Sequence, residues 1–232
     1  MTETLLCAIP ARGGSKRLPR KNLLPLQGKP MLAYSIEAAR ASGLFSSVFV
    51  CTEDPEIAET AHRYGAQVPI LAPPELCGDL VASHVPCQHL ATYLAEQGRA
   101  VEALLCLQPS SPLRSPEDIR GAVETFFRGG YESLVSVTPV DPHFFHWAVV
   151  RTEDGSGRLY FGDRYLKERP LLPTVYSPNG SVKVARLQAL RRTGHFFGPS
   201  LGLYETPAER SVHVATALEA RLCELLLSEP RP

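Results

Sequence analysis

The clearest signal of fold in this chain is the stretch LLCAIPARGGSKRLPRKN at residues 5–22. Its first five residues are apolar and predict a strand, and a glycine-rich polar loop follows them. Residues 30–42 then predict a helix, because Pro30 suits a first helical turn and Gly43 suits a C-terminal stop. Strand, loop and helix together form one βα unit.

The same alternation of apolar runs and helical patterns continues through the first 138 residues. It predicts strands at 47–52, 101–108 and 133–137, and helices at 55–64, 82–97 and 116–130. The pattern resumes later, with strands at 180–185 and 201–204 and helices at 187–192 and 216–227. Repeated β-then-α units predict an α/β fold of three layers with a mostly parallel, Rossmann-like sheet.

Residues 139–178 interrupt this alternation with aromatic, proline-rich and charged sequence. Asp154-Gly155 is a turn signal that is typical of hairpins rather than of a βα unit. We interpret the segment as an inserted flap or dimerisation arm of a single domain that spans residues 1–232. Aromatic side chains of the segment would form the interface of a homodimer: Phe144, Phe145, Trp147, Tyr160, Phe161 and Tyr165.

Overall charge and composition argue against several classes of protein. The chain has 24 basic and 24 acidic side chains, so no whole-molecule field would attract nucleic acid or an anionic membrane. No apolar run approaches the ~20 residues of a membrane span, and residues 1–4 lack the basic start of a signal peptide. The six cysteines form no CxxC pair. These features predict a soluble cytoplasmic protein without a nucleic-acid or membrane partner.

Residues 10–22, PARGGSKRLPRKN, carry five cations within ten residues and no acid, immediately after the first strand. Ligands of open α/β sheets bind at the carboxyl ends of strands, so this loop lies where a ligand is expected. Gly13 and Gly14 permit backbone conformations that point N–H groups at an anion, and Arg12, Lys16 and Lys21 suit a triphosphate. The alternative interpretation is a solvated basic turn. The loop matches neither the P-loop nor the GxGxxG fingerprint.

Residues 10–22 resemble the signature PARGGSKxxPxKN of the acylneuraminate cytidylyltransferases. Later segments are similar to further motifs of that family, in the same order: LQGKPM at 26–31, CTEDPEIA at 51–58, Gly78-Asp79 with Ser83, LQPSSPLR at 107–114 and Pro178-Asn179-Gly180. Members of the family transfer CMP from CTP to the anomeric hydroxyl of a sialic acid or related 2-keto sugar acid, and they release pyrophosphate. The resemblance implies a Rossmann-like nucleotidyltransferase with an inserted arm that often forms dimers.

The resemblance also implies roles for individual residues. It implies Arg12 and Lys21 as catalytic cations and a nucleotide site that comprises Ala11, Arg12, Gly13, Gly14, Ser15, Lys16, Lys21, Asn22, Asp79 and Ser83. It implies a sugar-acid site that comprises Gln108, Arg169, Asn179, Lys183, Phe196 and Phe197. From the residues alone, an isolated Gly-Asp is equally a turn, Arg169 is a surface charge and paired phenylalanines are core residues.

Three departures from the family pattern involve four positions. The element ERSVHVAT at 209–216 aligns with the family's ERSIDID, whose two aspartates ligate magnesium, but His213 and Ala215 stand in their place. Magnesium prefers carboxylate and phosphate oxygens to imidazole, so we expect Mg²⁺ or Mn²⁺ to arrive largely on CTP. Ala72 replaces an arginine. Lys183 replaces an aromatic residue that the acceptor sugar could approach.

Two functional hypotheses follow from these departures. The first is an active cytidylyltransferase with an altered metal site or acceptor, and the second is a degenerate homologue that binds nucleotide or a partner without catalysis. Zinc or manganese at His213 is disfavoured because no second histidine lies at a ligand spacing from it. A nucleic-acid-binding protein is disfavoured because the chain has no overall positive charge.

Overall fold

The computed structural model describes residues 5–229, so residues 1–4, on which the expectation of no signal peptide partly rests, and residues 230–232 lie outside it. Its strands are β1 (Leu5–Pro10), β2 (Pro25–Leu26), β3 (Lys29–Pro30), β4 (Val48–Cys51), β5 (Ala103–Cys106), β6 (Ser133–Val140), β7 (Val149–Arg151), β8 (Gly157–Leu159), β9 (Val175–Arg186) and β10 (Leu201–Glu205). Its α-helices are α1 (Met31–Ala41), α2 (Pro55–Arg63), α3 (Val85–Glu96), α4 (Pro116–Gly129), α5 (Pro142–His146), α6 (Leu187–Thr193) and α7 (Ala217–Ser228). Short 3-10 helices lie at Lys21–Leu23, Pro74–Cys77, Gly162–Tyr165, Arg169–Leu171 and Ala208–Arg210.

Six strands form the central sheet, in the order β10-β6-β9-β5-β1-β4. β1 pairs in parallel with β4 and β5, and β10 pairs in parallel with β6. β9 runs antiparallel to both β5 and β6. The predicted mostly parallel sheet is thus confirmed, with one reversed strand that the βα alternation did not indicate. β6 reaches β9 through the excursion rather than through a crossover helix, which permits antiparallel pairing.

Helices cover both faces of this sheet and give the predicted three layers. One face buries side chains of α1, α2 and α4, including Ile36, Ile57 and Phe126, against the strands. The other face buries side chains of α3 and α6, including Leu90 and Leu190. Burial of each large apolar side chain stabilises the folded chain by roughly 1.5–3 kcal/mol.

Helix caps fix the points where β4 and β5 lead into their helices. Asp54 is the N-cap of α2, and its carboxylate accepts hydrogen bonds from the N–H groups of Glu56 and Ile57 at 2.9 and 3.2 Å. Ser115 and Asp118 form a capping box at the start of α4. Because both helices are anchored at their first turn, the loops before them are held at the carboxyl edge of the sheet.

Several boundaries differ from the predicted ones. α3 begins at Val85 rather than at residue 82, and β5 ends at Cys106, two residues before its predicted end. β6 and β9 extend into the segment at 139–178, since their ladder pairs Pro139 with Tyr176 and Val140 with Val175. The excursion outside the sheet therefore spans residues 141–174.

The excursion contains a hairpin, as the turn signal predicts, formed by β7 and β8. Its aromatic side chains divide into a packed group and an exposed group. Phe161 lies between Phe145 and Tyr165, at ring-centroid distances of 5.3 and 5.9 Å. Phe144 and Tyr160 are 83% and 60% exposed. Tyr160 also contacts Phe161, at 4.9 Å between ring centroids, so the exposed aromatic surface of the excursion is continuous with its packed aromatic group.

Within residues 5–229, no helix is long and apolar enough to cross a membrane.

Candidate functional site

A cavity of about 200 Å³ lies at the carboxyl ends of β1, β4 and β5. Its wall includes Pro10 at the end of β1, Cys51 at the end of β4 and Gln108 just beyond β5. This is the edge of an open α/β sheet at which ligands bind. The predicted site residues in the wall are Ala11, Arg12, Lys21, Asn22, Asp79, Ser83 and Gln108.

Contacts with the turn after β4 and with Asn22 hold the glycine-rich loop. The Gly13 N–H donates to Glu53 Oε1 at 2.8 Å, and a Cβ at Gly13 would lie 2.4 Å from Asp54 Oδ2. Asn22 is buried, and its Nδ2 donates to the Arg12 carbonyl oxygen at 2.8 Å. Glycine is therefore needed at position 13 for a close approach, and Asn22 acts as a positioning residue.

The first N–H group of the expected cradle already has a protein partner. Neither Gly13 nor Gly14 has a φ in the left-handed region, and the Glu53 carboxylate already accepts from the Gly13 N–H. Gly14, Ser15 and Lys16 lie outside the cavity wall. An anion that used the Gly13 N–H would have to displace a carboxylate.

Carboxylates from distant segments neutralise much of the basic loop. Asp79 lies 2.9 Å from Arg12 Nη1 and 2.7 Å from Lys16 Nζ. Lys16 and then Arg12 hold the pKa of the Asp79 carboxyl below its usual range. Arg20 pairs with two acids at the start of α2. Residues 10–22 themselves contain no acid, but the fold brings acids from other segments to this loop.

Lys21 differs from these neighbours. Its half-buried side chain lies in the cavity wall, and none of the ion pairs within residues 5–229 includes it. Burial lowers the pKa of its ammonium group, and the charges of Arg17 and Arg12 lower it further. A partly desolvated ammonium without a counter-charge favours the binding of an anion.

Further predicted residues lie beside the cavity, where β9 passes β5. Lys183 lies on β9, and its Nζ is 5.9 Å from the ring centroid of Phe196. His84 packs edge-on against the same ring, with the centroids 5.8 Å apart. Gln108 Nε2 donates to Ser83 Oγ at 3.4 Å. Gln108 and Ser83 both line the cavity, and His84 follows Ser83 in the chain. Because Phe196 contacts both His84 and Lys183, these three side chains lie next to the cavity.

Asn179 lies beneath the site rather than at its surface. Its Oδ1 accepts from Ser136 Oγ at 2.6 Å, and its Nδ2 donates to Thr206 Oγ1 at 2.6 Å and to Ser211 Oγ at 3.0 Å. Ser111 Oγ donates to its carbonyl oxygen at 2.8 Å. Protein partners thus satisfy the carboxamide that the resemblance directs to the sugar acid, and Asn179 acts here as a positioning residue.

Two other predicted acceptor residues do not line the cavity. Arg169 lies in a 3-10 helix of the excursion, pairs with Asp141 and has a side chain that is 58% exposed. Arg169 is not among the residues that line the cavity, and its ion-pair partner is another residue of the excursion. Phe197 is 49% exposed, whereas Phe196 is buried against His84.

His213 takes a family metal-ligand position, but its surroundings do not suit a divalent cation. Its Nδ1 lies 3.4 Å from both Ser110 Oγ and Ser111 Oγ. Burial lowers its pKa, and the charges of Lys21 and Lys183 lower it further. Within residues 5–229, no group of three or more His, Cys, Asp or Glu side chains is placed to hold a metal ion. A neutral imidazole whose pKa nearby cations lower does not fit Mg²⁺, which binds anionic oxygens.

Sequence reasoning missed the residues that support the site from below. Arg114 is 2% exposed, its Nε donates to the Ser181 carbonyl oxygen at 2.7 Å, and its Nη2 donates to the Gln108 carbonyl oxygen. Arg210 Nη2 donates to Asp118 Oδ1 at 2.8 Å and ties the C-terminal element to α4. Both arginines lie in motifs that the sequence displays, but their buried partners are distant along the chain.

A Rossmann-like sheet with a basic, glycine-rich loop at the carboxyl end of its first strand places a candidate anion site where open α/β sheets bind ligands. Residues 6–153, more than half of the chain, match the model of the cytidylyltransferase family. The chain belongs to that family.

Curated relatives match nearly the whole chain. It is 29% identical over 225 residues to the pseudaminic acid cytidylyltransferase of Campylobacter jejuni, with 95% of each chain covered. It is 34% identical over 230 residues to the CMP-N,N'-diacetyllegionaminic acid synthase of Legionella pneumophila, with 96% of each covered. It is 34% identical over 224 residues to the N-acylneuraminate cytidylyltransferase of Escherichia coli, with 96% of this chain and 52% of that relative covered.

Solved structures share the fold at low sequence identity. The structure of CMP:2-keto-3-deoxy-manno-octonic acid synthetase complexed with CTP superposes with a TM-score of 0.74 at 17% identity, covering 97% of this chain and 99% of that one. The 4-diphosphocytidyl-2C-methyl-D-erythritol synthase of Anaerococcus prevotii superposes with a TM-score of 0.64 at 8% identity, covering 98% and 100%. These likenesses confirm the predicted Rossmann-like fold.

Proposed function

We propose that the chain transfers CMP from CTP to the anomeric hydroxyl of a 2-keto sugar acid related to sialic acid, and releases pyrophosphate. The observation that carries this proposal is the cavity at the carboxyl ends of β1, β4 and β5, with Lys21 in its wall and Lys183 beside it. The names of relatives support the acceptor class, since they specify pseudaminic acid, N,N'-diacetyllegionaminic acid and N-acylneuraminate.

The residues of the cavity support a mechanism based on positioning and charge. The triphosphate of CTP replaces Asp79 beside Arg12 and Lys16, and Lys21 faces the reacting α-phosphate. The anomeric oxygen attacks the α-phosphorus, the bond from that phosphorus to the pyrophosphate oxygen breaks, and the hydroxyl proton is lost to solvent. Negative charge develops on the phosphate oxygens and on pyrophosphate, so fixed cations stabilise the transition state.

We infer that Mg²⁺ or Mn²⁺ reaches the site as the counter-ion of CTP, held by triphosphate oxygens. Bound in this way, the ion would neutralise part of the phosphate charge. His213 and Ala215 offer an imidazole and a methyl group in place of two carboxylates. The same observation favours the second candidate, a homologue that binds CTP without catalysis.

One assay tests the proposal and separates the two candidates. The protein is incubated with Mg²⁺ and CTP, ATP or GTP, together with pseudaminic acid, N,N'-diacetyllegionaminic acid, N-acetylneuraminic acid or 2-keto-3-deoxy-manno-octonic acid, and pyrophosphate release is followed. We expect release that depends on CTP and on at least one acid. CTP binding by calorimetry without pyrophosphate release from any pair would support the non-catalytic candidate.

We also propose a homodimer formed through the excursion. Its exposed aromatic surface supports this, since Phe144 is 83%, Tyr160 60% and Trp147 41% exposed, and aromatic side chains commonly anchor interfaces. Light scattering should report twice the chain mass, and Phe144→Ser with Tyr160→Ser should return the monomer. A wild-type monomer at tens of micromolar would contradict the dimer.

We infer a cytoplasmic location, where CTP is available, and a role in supplying activated sugars for cell-surface polysaccharides. All six cysteines are free thiols, which is consistent with a reducing compartment. Fractionation should place the protein with soluble cytoplasmic markers.

A further inference from the structure

The predicted ligand-binding cations differ in whether the protein already neutralises them. Arg12 and Lys16 pair with Asp79, and Arg169 pairs with Asp141. Within residues 5–229, none of the ion pairs includes Lys183. Its side chain is nevertheless half-buried. Lys183 is therefore a partly desolvated cation without a protein counter-charge, as Lys21 is at the other end of the site.

The side chains around Lys183 include imidazoles, an aromatic ring and the thiol of Cys106. Its Nζ faces Phe196 at 5.9 Å from the ring centroid. Burial lowers the pKa of His84, and the charges of Lys183 and then His195 lower it further. Burial also lowers the pKa of His213, and the charges of Lys21 and then Lys183 lower it further. Both imidazoles are therefore neutral near pH 7 and supply no charge that would balance the ammonium.

The sheet fixes this ammonium beside the cavity. The register of β9 pairs Lys183 with Cys106 on β5 and with Val135 on β6. Two residues beyond Cys106 the chain reaches Gln108, whose amide lies in the cavity wall. A half-buried ammonium at this place loses hydration, and an anionic partner compensates for that loss.

We propose that Lys183 binds the carboxylate of the acceptor sugar acid, and that it, rather than Arg169, supplies this contact in the cavity of this chain. The proposal rests on the function proposed above and names the group that selects an acid as acceptor. An ammonium is a point charge without the planar fork of a guanidinium. Neighbouring donors such as Gln108 Nε2 must therefore fix the orientation of the carboxylate.

The direct test is Lys183→Met, which keeps the length of the side chain and removes its charge. We expect the KM for the sugar acid to rise about ten- to a hundred-fold, as for the loss of a hydrogen bond to a charged group. The KM for CTP should change by less than about threefold, because the lost charge is at the acceptor end. Lys183→Arg should restore part of the loss.

Lys29→Met is the matched control. Lys29 pairs with Glu37 at 2.6 Å and does not line the cavity, so its loss should leave both KM values unchanged. Arg169→Met provides the competing measurement. A large rise in acceptor KM for Arg169→Met together with none for Lys183→Met would overturn the proposal.

A second readout separates binding of the carboxylate from a structural role. The carboxamide analogue of the sugar acid should bind the wild-type protein as weakly as the acid binds Lys183→Met, and the variant should no longer distinguish acid from amide. If Lys183→Met weakens the binding of the acid and of the amide by the same factor, the proposal fails. If Lys183→Met does not fold, Lys183→Arg is measured instead, and the proposal fails if that variant does not prefer the acid to the amide. If the wild-type protein neither turns over nor binds any acid in the presence of CTP, the proposed function fails and this contact fails with it.

Discussion

The two ends of the site hold positive charge in different ways. At the nucleotide end, Asp79 lies 2.9 Å from Arg12 and 2.7 Å from Lys16, so a protein carboxylate already neutralises two of the cations. At the acceptor end, Lys183 faces an aromatic ring and imidazoles whose pKa values are lowered. We therefore expect nucleotide binding at the first end to exchange one anion for another. We expect acceptor binding at the second end to neutralise a cation directly.

The largest expected effect comes from Lys21, the cation of the cavity wall that no ion pair within residues 5–229 neutralises. Lys21→Ala should lower kcat/KM for CTP about a hundred-fold, at the upper end for a charge-assisted contact. Lys16→Ala should lower it about tenfold or less, because Lys16 pairs with Asp79 and is 86% exposed. Steady-state kinetics measure both values. Equal losses would remove the distinction between paired and unpaired cations.

A smaller effect is expected when both family carboxylates are restored. His213→Asp with Ala215→Asp should lower the half-saturating Mg²⁺ concentration by about tenfold, comparable with the influence of other groups around bound metals. Residues that share one ion are not additive, so the pair is tested as a unit. The new carboxylate beside Lys183 should also raise the KM for the sugar acid. No change in metal requirement in an active variant would show that the site has diverged beyond these two positions.

Removal of the Asp79 carboxylate should strengthen nucleotide binding rather than weaken it. Asp79→Asn should tighten CTP binding about two- to fivefold, because the triphosphate no longer displaces an exposed ion pair. Isothermal titration calorimetry gives the Kd, and Asp154→Asn, in the β7–β8 turn, serves as the control for a lost surface carboxylate. Weaker binding would mean that Asp79 contacts the nucleotide directly, as the family resemblance implies.

The smallest effect concerns pH. The pKa values of His84 and His213 are lowered below their ordinary 6.5. Between the lowered values and 6.5 the unfolded chain binds more protons than the folded chain, so the free energy of unfolding is full above 6.5 and falls as pH falls. Denaturant unfolding at several pH values should show this decline, and His84→Gln should reduce its slope. A slope unchanged by His84→Gln would contradict the neutral imidazole at the acceptor end.

Local sequence patterns were sufficient for most of the fold. Apolar runs and caps such as Asp54 and Ser115 depend on neighbours within a few residues, so strands and helices lie close to their predicted places. The reversed direction of β9 depends instead on how β6 and β9 pair across the excursion. That pairing leaves no periodic signal in either strand alone.

The site was less predictable, because its contacts join residues far apart in the chain. The sequence indicates that Arg12 and Lys21 follow β1, and both lie in the cavity wall. It does not indicate that Asp79 neutralises Arg12, that Asn179 is buried among hydroxyl groups, or that Arg169 pairs within the excursion. A sequence motif locates residues along the chain, whereas the packing of distant segments determines which cations have a carboxylate partner.

The most direct test of the proposed reaction is phosphorus NMR of the protein mixed with CTP, Mg²⁺ and one of the sugar acids. We expect the triphosphate signals to be replaced by a new phosphodiester signal and by a pyrophosphate signal of twice its area, because each transfer forms one phosphodiester and one pyrophosphate, which has two equivalent phosphorus atoms. Lys183→Met should slow both signals together. An unchanged CTP spectrum with every acid, from protein that binds CTP in calorimetry, would contradict the account.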